Sequence, residues 1–513
     1  MSSVKEPVIH RFGNGLTVLI KEDKSHPVVS LQYWVGTGSM NEGHLQGSGI
    51  SHLLEHLVFK GTESYSGQDL ARKVQERGGH WNAYTSVNRT VFYIDGPAES
   101  WQIFLNLLTE LVFSPTFPEG ELEREKEVVR REMAMYADEP DSVAYQLLMQ
   151  TLYLKHPRRW PVLGEPEVFD TLTREDVLEY HASRYVPNNV VLSIAGDVDA
   201  REVLSHLELL VEDLKAKPLN REPLPHEPHQ FGSRTVRKEF AVPYSKLSLA
   251  WRLPCSAHPD TPALSALASI LGGGRSARFY EKFHDRLGLV YSIEVHSNQS
   301  ESDEGAFTIT MDVDRAQRDR VRDLVLQELR DLEREDFTED LKRVCKQTRV
   351  SRLSRKSSAS GMASEMGADW FGARNLNLSS EWQEAIERVT SEDLHRVCAG
   401  WLSSPNVTEV SLDPLGSNAE EVPAGSEKTD TVLSELVLSN GLKVVVREDH
   451  RLPLAHVCLV FKAGCPAENE QNAGVTDLMS ECLLKGTSTR SASDIARFLE
   501  DIGGAINTST GNN

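Results

Sequence analysis

The chain has 513 residues, which suggests three or four domains, two of them large. Its formal net charge of −21, from 55 Lys+Arg against 76 Asp+Glu, argues against a general nucleic-acid binder and against adhesion to an anionic membrane surface. With 39% hydrophobic and 26% charged residues it reads as a folded soluble chain, and its longest apolar stretches, such as Leu452 to Phe461, are too short to span a bilayer. The six cysteines form no Cys-x-x-Cys pair, so no disulfide framework is expected. The first residues hold no apolar signal segment, which makes the cytoplasm the expected location.

In chain order, Leu16 to Ile20 reads as a strand behind the turn Gly13-Asn14-Gly15, and Val28 to Val35 as a second. A Gly-rich loop, Gly36 to Gly49, leads into a helix through Ser51-His52-Leu53-Leu54-Glu55-His56-Leu57-Val58-Phe59. Ser66 is a candidate N-cap for a helix to Arg77, with Gly78-Gly79 as its stop. Ala83 to Ile94 alternates as a strand would. Gln102 to Phe113 is apolar at helical spacing, Glu119 to Met135 is a strongly charged helix, and Val190 to Ile194 is a strand. These elements define an α+β domain over 1–215. A Pro- and His-rich linker is predicted at 216–233. A second α+β domain follows at 234–412. It has strands near Leu247 to Trp251 and Ala306 to Met311, and helices near Pro262 to Leu271, Gln317 to Glu333 and Thr338 to Ser354. A polar linker is predicted at 413–432 and a third domain at 433–513.

The third domain repeats the first. Asn14-Gly15-Leu16 matches Asn440-Gly441-Leu442, and, after a one-residue shift, Gly49 matches Gly474. At that same offset Lys60-Gly61-Thr62 matches Lys485-Gly486-Thr487, Gly78-Gly79 matches Gly503-Gly504, and Asn82 matches Asn507. The copy stops at Asn513 in what would be mid-strand. The expectation is a piece of a longer chain, or one whose missing half is supplied by a partner chain.

The segment His52-Leu53-Leu54-Glu55-His56 carries the chemistry. At about 100° per residue, His52, Glu55 and His56 share one narrow arc of the helix while Leu53 and Leu54 point away. Two imidazoles one turn apart can hold one zinc ion, and a carboxylate beside them can take a proton from water. A catalytic zinc needs a third protein ligand, and carboxylates crowd the charged helix downstream.

The inverted motif, followed by a charged helix, resembles the active site of the insulinase/pitrilysin-type zinc peptidases, which include mitochondrial processing peptidases. That family places a glutamate some 76 residues after the second histidine. Here Glu132 stands 76 residues after His56, in Glu125-Lys126-Glu127-Val128-Val129-Arg130-Arg131-Glu132. The resemblance implies His52, His56 and Glu132 as ligands of one zinc ion per chain and Glu55 as the general base. Glu125, two turns before Glu132, is similar to the family's second acidic residue, which supports the site without ligating. As a plain reading of the sequence, it is equally a solvated charge. Gly78-Gly79-His80-Trp81-Asn82-Ala83-Tyr84-Thr85 resembles the family's substrate strand, which implies that Asn82 and Ala83 bind peptide main chain by strand addition. The implied fold is a series of tandem α/β-sandwich domains, two complete and the start of a third.

Two departures matter. Asp477, Ser480 and Glu481 replace the motif in the repeat, so the second copy is expected to be metal-free. The family binds substrate with an Arg and a Tyr seven residues apart; Tyr291 is present, but His284 stands where the Arg would be. The expected activity is zinc-dependent hydrolysis of extended or unfolded peptides inside an enclosed chamber. The alternative is a non-catalytic structural or assembly subunit of the same fold.

Overall fold

The computed structural model describes residues 6–219, 223–299, 304–402 and 405–416, then 433–447 and parts of 457–508. They divide into two compact units, one within Met1–Gly425 and one within Ser426–Asn513.

The first unit holds two sheets. β1 (Val8–Arg11), β2 (Thr17–Glu22), β3 (Val28–Val35), β4 (His80–Thr85), β5 (Thr90–Pro97) and β6 (Val190–Gly196) form a six-stranded sheet in the order β1-β2-β6-β3-β5-β4. β2 and β6 are parallel; β3 is antiparallel to both β5 and β6. The alternation predicted as one strand from Ala83 to Ile94 is instead a hairpin. Ser86 N–H donates to Arg89 O at 2.8 Å, and the chain reverses between β4 and β5. The alternating pattern continues through a tight turn, so periodicity alone does not mark the break.

Helices cover both faces of this sheet. α1 (Ile50–Val58), α2 (Gly67–Gln75) and α3 (Trp101–Phe113) precede α4 (Glu121–Asp138) and α5 (Pro140–Leu152). Then come α6 (Pro166–Phe169), α7 (Arg174–Arg184) and α8 (Ala200–Val211). One face, with Val18, Tyr33, Phe92 and Leu192, packs on α1, α3 and α8. β6 is buried along its whole length, because the opposite face is covered too.

The second sheet has the order β7-β11-β8-β10-β9. Its strands are β7 (Arg234–Phe240), β8 (Ser245–Leu253), β9 (Val290–Asn298), β10 (Gly305–Val313) and β11 (Thr408–Pro414). Its helices are α9 (Thr261–Gly272), α10 (Arg318–Asp331), α11 (Thr338–Arg355), α12 (Ala359–Ala373), α13 (Leu378–Glu387) and α14 (Ser391–Val397).

The two halves exchange helices. Ala363 and Met366 of α12 pack on Leu19, Trp34, Val91 and Val191 of the first sheet. Reciprocally, Leu148, Met149 and Leu152 of α5 pack on Ala250, Ala306 and Val410 of the second. The segment 216–233, predicted as a linker, is anchored where it is described. Glu227 accepts main-chain N–H groups of Leu154, Lys155 and His156 at 2.6–2.9 Å, and the buried Gln230 donates to Asn406 O at 3.0 Å. Of the second predicted linker, 417–432 lies outside the described residues.

The second unit holds β12 (Leu433–Val437), β13 (Lys443–Arg447) and α15 (Val475–Cys482). It copies the start of the first unit atom by atom in places. Leu16 N–H donates to Asn14 Oδ1 at 3.1 Å, and Leu442 N–H to Asn440 Oδ1 at 3.1 Å. Gly49 and Gly474 are left-handed N-caps of α1 and α15. The matches expected at Gly503, Gly504 and Asn507 lie outside the described residues. No helix among the described residues is long and apolar enough to cross a membrane.

Candidate metal centre

α1 starts where the chain can make a tight entry. Gly49 has φ +71°, and a Cβ there would lie 2.0 Å from Leu163 O, so only glycine fits. The buried Glu42 caps the helix, accepting Gly49 N–H at 3.3 Å and Ser51 N–H at 3.1 Å. Burial pushes its carboxyl up to about 8, against the pull of those N–H groups. Leu53, Leu54, Leu57 and Val58 fix the opposite face in the core.

That anchoring turns His52, Glu55 and His56 to one side, where α4 presents Glu125 and Glu132. One donor atom each from His52, His56 and Glu132 lie within 4.8 Å of one another. Glu132 Oε2 stands 3.8 Å from His52 Nε2 and 3.7 Å from His56 Nε2. These separations exceed a hydrogen bond. They are near the spacing of about 3.4 Å between donors that share a tetrahedral zinc ion with bonds of about 2.0–2.1 Å. Two imidazoles and one carboxylate are also the ligand composition of catalytic zinc sites. Burial, with His56 nearby, pushes His52 down to about 4 and keeps it in the neutral, ligating form at pH 7. His52 Nδ1 is buried and has no hydrogen-bond partner among the described residues. His56 Nδ1 faces Glu125 Oε2 at 3.3 Å, which directs Nε2 of His56 toward Glu132. Glu125 is itself buried and pairs through Oε1 with Lys60 Nζ at 2.7 Å. The residues present therefore fit a zinc ion.

Glu55 lies beside this cluster. Thr85 Oγ1 donates to its Oε2 at 2.5 Å. Burial raises the Glu55 carboxyl; Thr85 and His56 oppose that, and Glu132 adds to it. Burial makes the Glu55 carboxylate a stronger base than a free one.

Asn82 and Ala83 lie on β4, the edge of the first sheet. Asn82 is exposed, and its Oδ1 accepts Ala83 N–H at 2.9 Å. Tyr291 sits in the other sheet, on edge strand β9, where its ring packs on Tyr244 at 5.2 Å. In the repeat, Ser480, at the position of Glu55, is buried in α15. Sequence reasoning gave no role to Lys60, Thr85 or Glu42. Lys60 and Thr85 lie in segments noted for other reasons; Glu42 shows its signal only beside the repeat, where Glu468 precedes Gly474-Val475-Thr476 as Glu42 precedes Gly49-Ile50-Ser51.

The family profile described as Insulinase (Peptidase family M16) matches residues 17–165 and, again, 443–513; that of the Peptidase M16 inactive domain matches 171–347. The chain belongs to the insulinase family, peptidase family M16. The second match to the insulinase profile falls on the repeat. Among similar proteins, an uncharacterized zinc protease of Rickettsia felis is 27% identical over 396 residues, covering 75% of this chain and 92% of the relative. The uncharacterized zinc protease YmxG of Bacillus subtilis is 29% identical over 325 residues, 63% of this chain and 78% of the relative. The crystal structure of a protease from Helicobacter pylori matches with TM-score 0.74 and 26% identity, over 80% of this chain and 100% of that one.

Proposed function

We propose that this M16 chain is a zinc-dependent endopeptidase acting on extended or unfolded peptides. The observation that carries the reading is the convergence of His52, His56 and Glu132 donor atoms within 4.8 Å, with Glu55 alongside. His52, His56 and Glu132 would hold one ion per chain, and zinc bound there supplies Lewis acidity toward water and the scissile carbonyl. Glu55 takes the proton of the attacking water on its carboxylate and returns it to the leaving amine. Its raised basicity suits the first transfer, and its protonated form suits the second. The open edge of β4 supplies main-chain groups along which an extended peptide lies as an added strand, which binds many sequences alike.

The test compares the chain with its Glu55→Gln variant for zinc content and peptide cleavage. The expected result is about one zinc in each, cleavage in the parent that a chelator abolishes, and only a slow residual cleavage in Glu55→Gln. A zinc-free parent favours the assembly-subunit reading, and a Glu55→Gln protein that cleaves at the parent's rate removes Glu55 from the mechanism.

A further inference from the structure

Glu55 has three rotatable side-chain torsions and needs something to aim it. Among the described residues, Thr85 is the one side chain that hydrogen-bonds its carboxylate, at 2.5 Å from Oγ1 to Oε2. Hydroxyl-to-carboxylate bonds of this length are charge-assisted and strong.

Thr85 is itself held firmly. It ends β4 opposite Thr90 of β5. The hairpin beyond it closes through Ser86 N–H to Arg89 O, and the loop before α1 is tied to it. Ser39 N–H donates to Ser86 O at 3.2 Å, and Met40 N–H to Val87 O at 2.8 Å. Gly38 packs so tightly here that a Cβ would lie 2.2 Å from Ser86 O. Thr90 Oγ1 in turn donates to Thr37 O at 3.1 Å. The hydroxyl therefore sits on a fixed frame.

The pairing register adds a consequence. Ser86 and Arg89 form a hydrogen-bonded pair, so by alternation Tyr84 and Asn82 direct their main-chain groups toward β5. Trp81, Ala83 and Thr85 direct theirs to the open edge. The strand that a peptide would pair with is thus the strand that aims Glu55.

We propose that Thr85 is the positioning residue of the general base, fixing the Glu55 carboxylate relative to a peptide laid along β4. This rests on the peptidase reading above. A base displaced by about 1 Å can lose about 100-fold in rate. Thr85→Val keeps the shape and the main-chain N–H while removing the hydroxyl.

The experiment measures kcat, KM and zinc content for the parent, Thr85→Val, Thr85→Ala, Thr85→Ser and Glu55→Gln, and for Glu55→Gln combined with Thr85→Val. Thr85→Val and Thr85→Ala should each lower kcat about 10- to 100-fold, with KM and zinc content within about threefold of the parent. Thr85→Ser should restore kcat to within about threefold. In the Glu55→Gln background, Thr85→Val should cost nothing more, because two residues acting as one unit are not additive. Parent-like kcat in either hydroxyl-free variant overturns the inference, as does an undiminished loss in the Glu55→Gln background. A zinc-loaded parent that does not cleave overturns the peptidase reading instead.

Discussion

Glu125 Oε2 lies 3.3 Å from Nδ1 of His56, while the other oxygen of the same buried carboxylate is 2.7 Å from Lys60 Nζ. With its proton on Nδ1, His56 would donate to Glu125 and leave Nε2 for a metal ion, and Lys60 balances the Glu125 charge. Outer residues of this kind tune metal sites by about 10- to 100-fold in affinity. Lys60→Met and Glu125→Gln are each expected to weaken zinc binding within that range, and Lys60→Arg by less. Competition against a chromophoric chelator measures it. Parent-like affinity in Lys60→Met would show the ion pair to be a surface contact only.

A second expectation concerns Glu42. Its carboxylate caps α1 at Gly49 and Ser51, and Glu468 caps α15 in the same way, at 2.6 Å from Gly474 N and 2.8 Å from Thr476 N. The copy lacks the zinc motif yet keeps the cap, so the cap serves the helix and not the chemistry. Glu42→Ala leaves two buried N–H groups without their acceptor. It should cost about 1–3 kcal/mol in urea unfolding. Any effect on cleavage should follow from the folded fraction alone.

A third concerns the exchanged helix. Gly367 brings α12 onto the first sheet, and a Cβ there would lie 2.3 Å from Trp34 Cε2, a ring pinned by its own N–H to Gln32 Oε1 at 3.2 Å. Gly367→Ala overpacks this contact and should destabilise the chain by about 1–3 kcal/mol, read as a lower denaturation midpoint. The control is Gly232→Ala, where a Cβ meets nothing within 4 Å and stability should hold.

The zinc motif, the charged helix and the repeat were legible in the sequence because each depends on spacing along one element or between two copies. His52 and His56 share a face through helical periodicity alone, and the distance to Glu132 was supplied by the family resemblance. What was not legible depends on contacts between distant segments. Thr85 meets Glu55 only because β4 runs beside α1, and Lys60 meets Glu125 only because α4 packs there. The exchange of α5 and α12 between sheets leaves no local trace either: nothing near Ala363 and Met366 says which sheet they cover. The hairpin at Ser86 to Arg89 leaves little signal because its turn carries no glycine or proline.

The last expectation is a pH dependence from His181. Burial pushes this imidazole down to about 4, against the favourable bond from its Nε2 to Val112 O and with help from Lys217. An unfolded histidine titrates near about 6.5. Between these values the unfolded chain binds a proton that the folded chain refuses, so stability rises with pH in that window. It is fully present above about 6.5 and is lost as pH falls toward 4. The slope from this one group is at most about 1.4 kcal/mol per pH unit. His181→Phe should therefore flatten the dependence of unfolding free energy on pH between 4 and 6.5, measured in urea with zinc present so that His52 stays neutral in both proteins. An unchanged slope would mean that His181 is protonated in the folded chain and that its ring, stacked on Tyr185 at 4.8 Å, tolerates the charge.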